Sequence, residues 1–212
     1  MTTERALRTE QLRTIWLEWM LASETLSEQE VRRQVDFIER AMAMPPGSRI
    51  LDLTCGNTLH LQGLVKRGYR LTGADIAAEA VELARRELQD EGVEAELLTC
   101  DLRSMPFKGL FDGAIHMWSS FGTFNAAEDL QILVSVQKAL KPGGRFILDV
   151  MPRDRLVREF QRYFWFEDAR KDKVILERDF DPLSGRVTTR WILLKQDGST
   201  IHDRRNEQRQ GL

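Results

Sequence analysis

Three acids and one turn carry the chemistry that can be read from this chain. Ile50-Leu51-Asp52-Leu53 is a short apolar run broken by one carboxylate, and Thr54-Cys55-Gly56-Asn57-Thr58 follows it as a small-residue turn. Such a run reads as a buried strand feeding a helix from about Leu59. Gly56 then lets the backbone and its N–H groups approach a ligand, and the positive end of the helix dipole faces the turn. A second acid, Asp75, ends the next apolar run, Leu71-Thr72-Gly73-Ala74-Asp75-Ile76, and a third, Asp101, follows Cys100. A turn beneath a polar tail and an acid at the following strand end suit an adenosine-type cofactor, the acid taking the ribose hydroxyls.

Those residues need a scaffold, and the rest of the chain spells one out. Ser27-Glu28-Gln29-Glu30 is a capping box that opens a helix running to Pro45-Pro46-Gly47. Upstream, residues 8–22 carry Leu12, Ile15, Trp16, Trp19 and Met20 at helical spacing. Strands are expected at 49–53, 70–75, 94–99, 111–117 and 145–151, with helices at 58–67, 77–91 and 126–140 between them. Lys141-Pro142-Gly143-Gly144 serves as a helix stop. This alternation predicts an α/β fold, a doubly wound, mostly parallel sheet with helices on both faces. The last third changes character. A helix is expected at about 153–164, then a β-hairpin around Asp181-Pro182-Leu183-Ser184-Gly185. A short third strand is expected after Gln196-Asp197-Gly198-Ser199, with the polar end from Asp203 fraying. The domain reading is 1–47 as N-terminal helices and lid, 48–151 as cofactor-binding core, and 152–212 as a helix plus antiparallel strands for substrate or dimerisation, all in one globular unit.

Composition narrows the function. Of 212 residues, 42% are hydrophobic and 30% charged, enough for a core of domain size. A net charge of −2 supplies no basic field for nucleic acid, which is disfavoured as a partner. Met1-Thr2-Thr3-Glu4-Arg5 opens no signal peptide and no run is long enough for a membrane span, so a cytoplasmic location is expected. Cys55 and Cys100 make no disulfide framework, and no metal is expected.

With the elements placed, residues 48–151 resemble the class I S-adenosylmethionine-dependent methyltransferases. The resemblance rests on five segments in order: 51–58, Gly73-Ala74-Asp75-Ile76, Cys100-Asp101-Leu102-Arg103-Ser104-Met105-Pro106-Phe107, Phe111-Asp112-Gly113-Ala114-Ile115, and Ala139-Leu140-Lys141-Pro142-Gly143-Gly144-Arg145-Phe146. The region after 151, with Phe180-Asp181-Pro182, is similar to a small-molecule subgroup that adds an antiparallel segment near the active site. The resemblance implies a Rossmann-like fold with S-adenosylmethionine as cofactor and a small-molecule methyl acceptor. It implies cofactor contacts from Asp52, Thr54, Cys55, Gly56 and Asn57 around the tail, Asp75 on the ribose, Ile76 on the adenine ring, and Asp101 and Leu102 at the adenine edge. The backbone carbonyl of His116 would hold the amino group, and its side chain is a candidate general base. Trp16 and Trp19 in a lid, with Trp118, Phe121 and Phe124 after the fourth strand, are candidates to line the acceptor pocket. Each has a plainer reading: Asp75 as a helix cap, Asp101 as a turn cap, Cys55 as a filler, His60 and His116 as packed histidines, the aromatic stripe as core.

Two departures stand out. Thr54 and Thr58 stand where the family's first turn usually has glycine. The family normally adds another helix and two strands beyond this length, so truncation or divergence at the C-terminus is expected, with an open sheet edge or the hairpin available for a homodimer. Two other functions share parts of this pattern. An NAD-dependent oxidoreductase shares the strand–turn–helix, but Thr54-x-Gly56-x-x-Leu59 lacks the three-glycine fingerprint. A catalytically inactive cofactor-binding or assembly protein is the other, motivated by the two threonines.

Overall fold

The computed structural model describes residues 26–56, 58–118, 121–167 and 171–209, the segment 200–209 by its backbone alone. The helix expected at 8–22, with Trp16 and Trp19, and Asn57 in the turn lie outside the described residues. The chain forms two compact units: Leu26–Ser120 with Ala126–Asp149, and Phe121–Asn125 with the segment from Val150 onward.

The first unit begins with α1, Glu28–Met42, whose capping box is formed: the Glu30 amide donates to Ser27 Oγ (3.3 Å) and the Ser27 amide to Glu30 Oε2 (3.0 Å). Its last turn is capped by a distant residue. Arg145 Nη1 donates to the Met42 carbonyl (2.6 Å), putting a cation at the negative end of the helix dipole. The helices α2 (Leu59–Val65), α3 (Ala78–Asp90) and α4 (Ala126–Ala139) alternate with strands β1 (Arg49–Leu53), β2 (Arg70–Asp75), β3 (Glu96–Thr99), β4 (Phe111–His116) and β5 (Leu140–Leu148). The strands form one parallel sheet in the order β3-β2-β1-β4-β5. Chain order reverses between β1 and β4, and that junction is the topological switch point where such sheets bind ligands. Ile50, Leu51, Leu53, Leu61, Leu64, Phe111 and Ile115 are wholly buried around it. Each such side chain contributes about 1.5–3 kcal/mol relative to exposure.

Two glycines set how closely elements approach. A Cβ on Gly73 would lie 2.8 Å from Cys55 Cβ, Cys55 Sγ and Leu97 Cδ2, so β2 stays bare where Cys55 packs across it. A Cβ on Gly63 in α2 would lie 2.6 Å from Val35 Cγ2 of α1, so the bare backbone lets the two helices meet. At the N-terminal edge of the sheet, Asp112 accepts from the Arg49 amide (2.8 Å) and from Lys141 Nζ (2.6 Å). The Phe-Asp and Lys-Pro-Gly-Gly segments therefore tie β1, β4 and β5 together at the end away from the switch point.

The second unit contains α5 (Arg153–Glu159) and a four-stranded antiparallel sheet, β6-β7-β8-β9, made from Tyr163–Glu167, Lys173–Asp181, Arg186–Leu194 and Thr200–Arg209. Three sequence expectations need correction here. The helix expected to run to 164 ends at Glu159, and Tyr-Phe-Trp-Phe forms β6; an aromatic run favours a pleated strand, but without alternation it carries no period to reveal it. The end expected to fray is instead β9, paired with β8 from Thr200 to Arg209. Its ladder is made by backbone groups, which polar side chains do not forbid. The hairpin is thus the middle of a larger sheet. In the first unit, β5 starts at Leu140, with a register irregularity before Gly113↔Arg145 absorbing the Pro-Gly-Gly segment.

Candidate functional site

The site is built at the switch point by the turn after β1 and the ends of β2, β4 and β5. The turn is shaped by two threonines in left-handed conformation, Thr54 at φ 71° and Thr58 at φ 51°. That costs a β-branched residue roughly 1–2 kcal/mol each. Each hydroxyl is satisfied. Thr54 Oγ1 donates to the Leu53 carbonyl. Thr58, 1% exposed, donates to Glu87 Oε2 of α3 (2.8 Å) and accepts from Gln62 Nε2 (2.9 Å). The turn is therefore bolted to α3 by a side chain that glycine would lack.

Its amides are used inside the protein. The N–H groups of Thr54 and Cys55 both donate to the Ala74 carbonyl (2.7 and 3.1 Å), and that of Gly56 hydrogen-bonds the Asp75 carboxylate. Buried amides at a strand end must find partners, and β2 supplies them for these three. What the turn offers is close approach.

Asp75 is held by three amides, those of Ala77 (3.0 Å), Ile76 and Gly56. It organises the turn before α3 without being its N-cap, which is Ala77. Burial nonetheless raises its pKa above the usual carboxylate value, against the pull of the amides. Asp52, one strand over and 5% exposed, is pushed up to about 8, by burial first and by the Asp75 charge second. A buried carboxylate, Asp52, and a half-buried one, Asp75, thus lie in each other's field at the switch point. Cys55 beside them is 2% exposed and its thiol pKa is raised by burial and by both acids, so it packs as a small apolar group and supplies no thiolate. Cys100 is pushed up to about 11, by burial first.

Asp101 is engaged more than its motif suggested. It caps the 3-10 turn Leu102–Ser104 by accepting from the Arg103 amide (2.9 Å), and it takes the Arg103 guanidinium at Nε (2.9 Å) and Nη2 (2.6 Å). The other guanidinium arm reaches Glu128 (2.6 Å) on α4, and the Arg103 side chain is 3% exposed. Sequence reading missed this triad, although Arg103 two residues on was a visible cue. Leu102 is buried (6%) and Ile76 half-buried.

His116 ends β4 opposite Leu53 of β1, and its carbonyl accepts the Asp149 amide (2.9 Å). The imidazole is 2% exposed and burial lowers its pKa to about 4, so it is neutral near pH 7. His60, 4% exposed, is likewise lowered to about 4 by burial. Trp118 stands at φ 64°, its amide donating to Asp149 Oδ2 (2.9 Å). Gln34, Glu87 and Asp149 join the site only in three dimensions and carry no local sequence signal. Phe121 and Phe124, both half-buried, belong to the second unit.

His60 and His116 are neutral near pH 7, and the Arg103 guanidinium is held by Asp101 and Glu128. An acidic crevice with an adenosine-type acid at the β2 end fits a cationic nucleoside cofactor with a sulfonium and an ammonium group, and the Asp75 carboxylate keeps acceptor capacity for a ribose hydroxyl. Among the described residues no group of three or more His, Cys, Asp or Glu could hold a metal, and no helix is long and apolar enough to cross a membrane.

Comparison with known proteins matches the part of the chain that carries these residues. A family profile described as a methyltransferase domain matches residues 50–144. The chain is 34% identical over 128 residues to an S-adenosyl-L-methionine-dependent Diels-Alderase of Talaromyces variabilis, spanning 57% of this chain and 42% of that one. It is 32% identical over 109 residues to a demethylmenaquinone methyltransferase of Clavibacter sepedonicus, spanning 51% and 43%. It thus covers less than half the length of either relative. A solved S-adenosylmethionine-dependent methyltransferase of Clostridium acetobutylicum shares the fold at a TM-score of 0.71 and 18% identity, over 87% of this chain and 75% of that one. The domain matched over 50–144, the β3-β2-β1-β4-β5 sheet and the ordered segments together make this part of the chain similar to the class I S-adenosylmethionine-dependent methyltransferases.

Proposed function

We propose that this chain transfers the methyl group of S-adenosylmethionine to a small-molecule acceptor by direct displacement. The observation that carries the reading is the Asp52–Asp75 pair beside the Gly56 turn at the switch point. When bound, the cofactor supplies an electrophilic methyl group on a sulfonium and a neutral thioether as leaving group. Asp75 accepts from the ribose hydroxyls, a charge-assisted contact that neutral side chains match poorly. Ile76 and Leu102 cover the adenine ring, and Asp101, held by Arg103, meets its edge. Asp52 and the turn residues Thr54, Cys55 and Gly56 surround the amino-acid tail, with the His116 carbonyl near its amino group. Trp118 lies on the acceptor side. The protein's work is alignment and exclusion of water. A neutral amine or an ionised hydroxyl needs no dedicated base. The His116 imidazole, neutral at pH 7, holds a lone pair but binds a proton weakly.

A homodimer through the antiparallel strands belongs to the same proposal. Tyr163 and Trp165 on the edge strand β6 are 64% and 59% exposed, which supports it, and sedimentation velocity at two concentrations tests it. A second reading, cofactor binding without methyl transfer, is favoured by the relative named as a Diels-Alderase.

Calorimetric titration of S-adenosylhomocysteine into the chain and into Asp75→Ala is the first test. The expected result is binding by the parent and a loss of about tenfold to a hundredfold in the variant, the worth of one or two hydrogen bonds to a charged group. A folded parent that fails to bind overturns the reading. Binding without methyl transfer to a panel of quinol, catechol and amino-sugar acceptors favours the second one.

A further inference from the structure

Four side chains from four elements converge beside the cofactor crevice within the first unit. Trp118 Nε1 and His60 Nε2 both meet Gln34 Oε1, at 3.3 and 2.6 Å. An indole N–H can only donate, so the Gln34 atom it reaches is the carbonyl oxygen. His60 Nε2, bonded to the same oxygen, must then carry its hydrogen, and the neutral ring keeps its lone pair on Nδ1. The His60 ring meets the Trp118 ring edge to face, centroids 6.1 Å apart at 89°. Asp149, following β5, takes the Trp118 amide at 2.9 Å and lies close enough to His60 to favour its protonated form.

The residue so gripped is in a conformation a tryptophan rarely adopts, φ 64°. Strain of this kind persists only where the surroundings over-determine it, and it concentrates at ligand clamps. Here α1 supplies Gln34, α2 supplies His60, and the chain after β5 supplies Asp149, while Trp118 follows β4. The grip therefore spans the switch point: His60 follows β1, Asp149 follows β5, and Gln34 comes from α1, which packs against α2. A core tryptophan needs burial alone; this one is half-buried and held at its amide, its indole N–H and its ring face.

We propose that Gln34, His60 and Asp149 are positioning residues of the methyl-transfer site: they clamp Trp118 in its left-handed conformation at the switch point, so that its indole forms a fixed wall beside the bound cofactor's reacting end. The proposal rests on the methyltransferase reading above. None of the three reacts; their task is to give the acceptor one orientation to occupy.

The test uses the full chain, with acrylamide quenching of tryptophan fluorescence. The share due to Trp118 is obtained by pairing each protein with its own Trp118→Phe double variant. Gln34→Leu keeps the volume and removes the shared acceptor; Gln34→Glu restores an acceptor; His60→Phe keeps a ring and removes both nitrogens. In the parent, S-adenosylhomocysteine is expected to shield Trp118 further. In Gln34→Leu and His60→Phe, Trp118 becomes quenchable and the ligand-induced shielding is lost, while calorimetric affinity stays within about fivefold, one neutral hydrogen bond's worth. Gln34→Glu recovers both signals. Unchanged Trp118 quenching in Gln34→Leu, or no recovery in Gln34→Glu, overturns the clamp. Parent that does not bind the ligand overturns the methyltransferase reading, and the ligand-free quenching series then separates that failure from failure of the clamp.

Discussion

At the scale of single residues, environment decides what each motif position does. Thr54 and Thr58 replace the same residue type, yet their substitution is expected to give opposite signs. Thr54→Gly relieves a left-handed β-branched residue whose hydroxyl bonds only its own neighbour's carbonyl, and is expected to stabilise by up to about 1 kcal/mol. Thr58→Gly gains similar relief but strips a buried hydroxyl from Glu87 and Gln62, for an expected net loss of about 1–2 kcal/mol. Urea denaturation of both variants checks the contrast. The acid pair gives a second prediction. Asp52 titrates near 8 in the folded chain, so near pH 7 it holds a proton that the ammonium group of a bound ligand displaces. S-Adenosylhomocysteine binding at pH 7 is expected to release protons, read as a dependence of calorimetric enthalpy on buffer ionisation enthalpy. Asp52→Asn should lose most of that dependence.

At the scale of elements, two bare backbone positions control approach. Gly63→Ala is expected to destabilise by about 1–3 kcal/mol through its clash with Val35, and Val35→Ala in the same chain should recover part of it. Gly73→Ala meets Cys55 and Leu97 on two sides and has no such single remedy. A thermal double-mutant cycle on positions 35 and 63 tests whether the clash is pairwise. The strands of the parallel sheet were legible because each is a short apolar run closed by a turn signal: β1 and β2 begin and end where their residues predict. β6 and β9 were illegible for opposite reasons, one aromatic without alternation, the other polar throughout.

At the scale of the whole molecule, buried titratable groups shape stability against pH. His60 and His116, depressed to about 4 from an unfolded value near 6.5, contribute stability that is complete above pH 6.5 and lost as pH falls towards 4. Asp52, raised to about 8 from near 3.9, works the other way: its contribution is complete below pH 4 and lost as pH rises towards 8. Between 4 and 6.5 the two histidines outweigh Asp52, with Asp75, raised in the same direction, offsetting part of the difference; above 6.5 the histidines no longer act. These groups place the maximum Tm at about pH 6.5, and Asp52→Asn should flatten the decline from there to pH 8. Scanning calorimetry from pH 4 to 9 checks both slopes.

What the sequence determined by itself was local: the capping box at Ser27, the apolar runs, Gly56 in its turn, and the acids at the strand ends that carried the resemblance. Each is a signal within a few residues, where hydrogen bonds and periodicity act directly. What only the tertiary structure decided was which groups share an environment. It placed Asp52 in the field of Asp75, locked Asp101 onto Arg103 and Glu128, tied Thr58 to Glu87, and brought Gln34, His60 and Asp149 to Trp118. Such partners lie as far as 84 residues apart in sequence, and no local pattern can encode a meeting that the order of strands alone brings about.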